Sequence, residues 1–198
     1  MSRPPRRRPA TWEELEQVPE DLIGEIVAGE IVVTPRPDVP HMEVTSFLGD
    51  VLSAPFRRGI GGPGGWVIFD EPRIRFGEDV RVPDLGGWRK ERWVNVPRRG
   101  PIPILPDWIC EVLSRATERQ DRTTKMALYA RAKIRHLWLI TPESRTLEVY
   151  RLEPAGWLLT GTHADRDRVR VEPFDAIELD LSLLWGESFP EPEESENP

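Results

Sequence analysis

A chain of 198 residues with a formal net charge of −7 and ordinary apolar content suggests one domain, burying roughly 70% of the surface its unfolded form exposes. The acidic balance argues against a generic nucleic-acid coat. The lack of any apolar run near the ~18 residues of a membrane span, and of an apolar core in the Arg/Pro-rich start, leads us to expect a cytoplasmic protein with no membrane partner. Its single cysteine, Cys110, permits no internal disulfide, and three scattered histidines lack zinc spacing.

Residues 1–10 read as a disordered basic head carrying Arg3, Arg6, Arg7 and Arg8. Thr11-Trp12-Glu13-Glu14 has capping-box spacing and predicts a helix from Thr11 to about Val18-Pro19. Strands at 23–27 and 30–34 meet at Ala28-Gly29 as a hairpin. Beyond Pro35–Pro40, the apolar positions Val44, Phe47, Leu48, Val51 and Leu52 predict an amphipathic helix from His41 to about Ala54. The glycines of 59–65 lack the Lys-Ser/Thr that closes a phosphate loop, so they read as a connector. Strands over 66–76 and 80–86 follow, turning at Gly77-Glu78-Asp79.

Residues 88–106 read as a long loop in which Lys90, Arg92, Arg98 and Arg99 stand beside Trp88 and Trp93. Such a loop could contact nucleic acid, or its tryptophans could simply cover the sheet. Trp108 to Ser114 is a strand with Ile109, Glu111 and Leu113 on one face and Trp108, Cys110 and Val112 on the other. A strand apolar on both faces is buried on both, so Glu111 needs a cation, either a metal ion or a lysine. A helix over 118–132, capped by Ser114 or Thr117, carries Lys125, one of only three lysines in the chain. His136–Thr141 is another buried strand; 146–151, 156–162 and 169–171 suggest an antiparallel extension, and Leu181–Trp185 a closing helical turn. The Pro/Glu-rich residues 187–198 read as a disordered acidic tail.

Several stretches, in order, carry a resemblance: Gly24–Val32 with Pro40-His41, Val82-Pro83-Asp84, Glu111–Ser114, Asp121-Arg122 with Lys125 and Tyr129, and Trp138–Pro142. Together they resemble the Uma-two family of restriction-endonuclease-like proteins within the PD-(D/E)XK nuclease superfamily, over about Thr11 to Trp185. The resemblance implies an α/β (α+β) domain over 11–186, with a mixed central sheet flanked by helices, an N-terminal hairpin and a C-terminal antiparallel extension. It also implies a metal-dependent endonuclease acting on nucleic acid, DNA above all. Asp84, Glu111 and the backbone carbonyl of Val112 would ligate Mg²⁺ or Mn²⁺, and Lys125 would act on the attacking water. The superfamily pattern has its lysine two residues after the glutamate, where this chain has Leu113; Lys125 on the following helix takes that role. Glu71, His41 and Glu25 are secondary candidates, and a homodimer is left open.

Blander readings stand beside these. Asp84 after a proline is a common turn residue, Glu111 with Lys125 could be only a buried ion pair, and Glu71 could form a surface ion pair. The chain could also be an inactive binding module on a nuclease fold, or an interaction subunit working through its charged ends.

Overall fold

A computed structural model describes residues 8–186. The expected basic head through residue 7 and the acidic tail over 187–198 lie outside the described residues. Residues 8–10 attach to the domain, Ala10 N–H donating to the Gly29 carbonyl at 2.8 Å and Arg8 pairing with Glu14 at 2.6 Å.

The first helix, α1 (Trp12–Leu15), is one turn closed by the expected capping box between Thr11 and Glu14. It stops short of Val18 because Pro19 biases its predecessor away from helix, and Leu15 and Val18 then fold over Gly24. Strands β1 (Leu22–Val27) and β2 (Glu30–Pro35) form the hairpin, with Ala28 and Gly29 both at positive φ as a tight two-residue turn demands. Helix α2 (Val39–Leu52) starts before His41 because Asp38 caps it and Pro40 suits its first turn; a π turn over Ser53–Arg57 follows.

The two long strands expected over 66–76 and 80–86 are four short ones: β3 (Trp66–Asp70), β4 (Ile74–Phe76), β5 (Asp79–Arg81) and β6 (Leu85–Arg89). Glu71 at φ 43° with Pro72 breaks the first run, and Pro83, which has no amide donor, breaks the second. Each half joins a different sheet. Trp88 belongs to β6 rather than to the loop that follows. Then come β7 (Trp108–Val112), α3 (Glu118–Gln120), a π turn over Asp121–Lys125, α4 (Met126–Arg131), β8 (His136–Thr141), β9 (Thr146–Glu153) and β10 (Gly156–Ala164). Thus the single helix expected over 118–132 is interrupted by a wider turn. Strands β11 (Arg168–Val169) and β12 (Leu179–Asp180) pair with each other instead of lengthening the C-terminal extension, and a 3₁₀ turn over Leu181–Trp185 is the last described element.

The central sheet runs β10-β9-β8-β7-β6-β3, and only β7 and β8 are parallel. That parallel pair requires the helical crossover through α3 and α4. A second sheet, β2-β1-β5-β4, holds the hairpin. One face of the central sheet buries Trp66, Trp108, Trp138 and Phe174 against α2; the other buries Ile109, Leu113, Leu137 and Leu139 against Leu128 and Tyr129 of α4. Trp88 of β6 and Trp93 of the following connection pack on Phe69 and cover this second face. Among the described residues, no helix is long and apolar enough to cross a membrane.

Candidate active site

Antiparallel β6 and β7 bring Asp84, just before β6, beside the end of β7, where Glu111 is the penultimate residue. The Asp84 carboxylate is anchored through Oδ2, which accepts the Val112 N–H at 2.6 Å, and through Oδ1, which lies 3.1 Å from His41 Nε2. The Asp84 carbonyl accepts the Glu71 N–H at 2.9 Å, so the break between β3 and β4 fixes this residue's backbone as well. Burial works against protonating His41, but its bond to Asp84 and the charges of Asp84, Asp38 and Glu71 outweigh it and raise the imidazole pKa.

Glu111 is 1% exposed. Its Oε2 meets Lys125 Nζ at 2.8 Å and its Oε1 accepts the Tyr129 hydroxyl proton. Lys125 also lies 2.9 Å from Asp121 Oδ1, so the ammonium stands between two buried carboxylates. Burial pushes Glu111 up to about 8; Lys125 opposes this, and the charges of Asp121 and Asp84 reinforce it. Burial alone would discharge Lys125, yet Glu111, Asp121, Glu25 and Asp84 outweigh it and raise its pKa. The carboxylates outnumber the cations here, which favours whatever positive charge can enter.

Glu25 is buried as well: it accepts the Val82 N–H at 2.8 Å and lies 3.5 Å from Arg81. Its charge reaches Lys125 and Tyr129. Glu71 is engaged at the surface by Arg36 at 2.5 Å. Leu113 is 3% exposed within the apolar cluster, so the slot next to Glu111 on its strand face is filled by core. Arg92 pairs with Asp107, which precedes β7, at the far end of that strand from Glu111; Lys90, Arg98 and Arg99 are exposed in the same connection.

The structure thus brings together Asp84, Glu111, Lys125, His41 and Glu25, and leaves the four loop cations outside the cluster. It adds Asp121 and Tyr129, whose signal in the sequence is their spacing of four residues on either side of Lys125. Among the described residues, no three His, Cys, Asp or Glu side chains form a group that could hold a metal ion by themselves.

Among curated proteins, none matches the chain. Among solved structures, a crystal structure described as "a putative nuclease belonging to DUF820 from Anabaena variabilis ATCC 29413" is similar, with a TM-score of 0.63 and 24% identity, over 89% of this chain and 98% of that one. At that identity the likeness establishes the fold. A family model described as "Putative restriction endonuclease" (Uma2) matches residues 12–183, the span that contains both sheets and every residue of the acidic cluster. The chain belongs to the Uma2 family.

Proposed function

We propose that this protein is a metal-dependent nuclease that hydrolyses phosphodiester bonds, with DNA as its substrate. The observation that carries the reading is the convergence of Asp84 and Glu111 at neighbouring strand ends with Lys125 bound to Glu111. The donor set fits a hard divalent cation: all side-chain ligands are oxygens, and Asp84, Glu111 and Asp121 outweigh the one lysine. Asp84, Glu111 and the Val112 carbonyl would hold Mg²⁺ or Mn²⁺, which when bound polarises a phosphoryl oxygen and acidifies a water. Lys125, kept protonated by its two carboxylates, orients the attacking water and stabilises charge gathering on the phosphate. Tyr129 and Asp121 hold Glu111 and Lys125 in place, and His41 holds Asp84.

The test is cleavage of labelled plasmid and oligonucleotide with Mg²⁺ or Mn²⁺, beside Asp84→Ala and Glu111→Gln. We expect products only with metal and a loss on the order of 100-fold or more in each variant. Undiminished cleavage in both variants would remove the acids from the reaction. One observation favours a second reading: both oxygens of Asp84 and of Glu111 already meet protein partners, as in a purely structural network. Binding of DNA without metal-dependent cleavage would establish that reading, an inactive binding module on a nuclease fold.

A further inference from the structure

At the opposite end of the central sheet from the acidic cluster lies an open groove of about 1410 Å³. Its lining includes Trp66, Arg89 and His136, at the ends of β3, β6 and β8 on the side of the sheet where β7 begins at Trp108. Trp108 is three residues from Glu111 along β7, about 10 Å at strand rise, so the two sites are separate.

The groove is rich in both charges, but they are not equally engaged. Among its acids, Asp107 is held by Arg92, and Glu153 and Glu172 are held by Arg151 at 2.7 Å each. Arg131, Lys133 and Arg135 are exposed and form no ion pair among the described residues, while Arg89 lies 4.2 Å over the Trp66 ring. Against these four cations, Glu91 and Asp175 are the acids of the groove whose side chains carry no ion pair among the described residues. The backbone that carries Arg131, at the end of α4, and Lys133 and Arg135, in the connection to β8, is held by a closed turn. Lys133 takes the left-handed conformation at φ 59°, the Ile134 N–H donates to the Tyr129 carbonyl at 3.0 Å, and Ile134 is wholly buried. That helix-ending turn leaves Arg131, Lys133 and Arg135 exposed while Ile134 between them is buried.

We infer that this groove binds the phosphate backbone of a nucleic acid, away from the acidic cluster. Guanidinium forks match phosphate oxygens. The volume exceeds the roughly 300–1,000 Å³ of a small-molecule pocket, which suits a segment of polymer. Its one tryptophan is buried and already capped by Arg89, leaving no aromatic platform for bases, so the contact is to backbone and independent of sequence. The inference rests on the nucleic-acid reading above but not on catalysis.

The test is fluorescence anisotropy of a labelled duplex in EDTA, with wild type and the triple variant Arg131→Gln, Lys133→Asn, Arg135→Gln. All three replaced side chains are exposed, and circular dichroism checks the fold. The triple variant should bind at least about tenfold more weakly near 0.1 M salt, with its log–log salt slope smaller by about 2 to 3. Equal affinity and slope in the triple variant, or no duplex binding by wild type, overturns the inference. So does displacement of the duplex by ATP at an equal concentration of phosphate, which would assign the groove to free nucleotides. Cleavage is scored separately with metal: groove-dependent binding without cleavage defeats the nuclease reading alone, and cleavage with groove-independent binding defeats this inference alone.

Discussion

Glu111 is the residue on which the candidate site depends, because burial holds its carboxylate near a pKa of 8 while one ammonium keeps it paired. The folded pKa lies above the ordinary 4.5, so the folded state binds more protons between those values, and Glu111's contribution to stability falls as pH rises through that window. Replacing Lys125 by Met removes the opposing charge and extends the window upward. We expect Lys125→Met to be destabilised by about 3–5 kcal/mol where Glu111 is ionised, and by less where a proton can neutralise it. Urea denaturation at pH 6 and pH 8.5 checks this: the variant's deficit should be larger at pH 8.5. An equal deficit at both would mean that Glu111 does not titrate between them.

At the scale of elements, β6 is shaped by two adjacent glycines that let aromatic rings lie against its backbone. A Cβ on Gly87 would come within 2.9 Å of Trp108 Cε3, and one on Gly86 within 2.9 Å of both Pro72 and Trp88. Trp108 cannot give way, since it is fully buried and set edge-on to Trp138 and Phe174 at 5.2 and 4.8 Å. Gly87→Ala should therefore destabilise by about 1–3 kcal/mol through overpacking, a fall of roughly 2–4 °C in melting temperature per kcal/mol at this size. Calorimetry checks it, and an unchanged melting temperature would show that the aromatic layer yields. The π turn over Asp121–Lys125 is the other element that shapes the site: wider than an α turn, it leads into α4, whose Tyr129 also reaches Glu111.

Across the whole molecule, acid stability depends on a group outside the candidate site. His136 at the start of β8 is held down to about 4, mainly by burial and further by Arg135, Arg89 and Arg151, with Glu172 opposing. Its folded pKa lies below the ordinary 6.5, so the unfolded chain takes up more protons between the two values. Its contribution is therefore intact above about pH 6.5 and is lost as pH falls towards 4, to a total of about 3 kcal/mol. Denaturation at pH 7 and pH 4.5 should show wild type losing about 2–3 kcal/mol more than His136→Gln. Parallel losses would show that His136 is protonated in the fold.

Local chemistry decided what could be read in the sequence alone. The capping box at Thr11, the hairpin turn at Ala28-Gly29, the burial of β7 on both faces and the limits of β8 follow from neighbouring residues. So does the need of Glu111 for a cation, because alternation along a strand assigns its face. The division of 66–76 and 80–86 between two sheets was less legible: a proline marks a break but not which sheet each half joins, and that depends on pairing with β1 and β7 far along the chain. The anchoring of Asp84 by His41 and Val112 and the turn of Glu71 towards Arg36 are likewise contacts between distant segments. The unpaired cations of the groove were undecidable from composition, because arginines occur throughout the chain. Only the packed structure determines which of them have their charge met by a neighbouring acid.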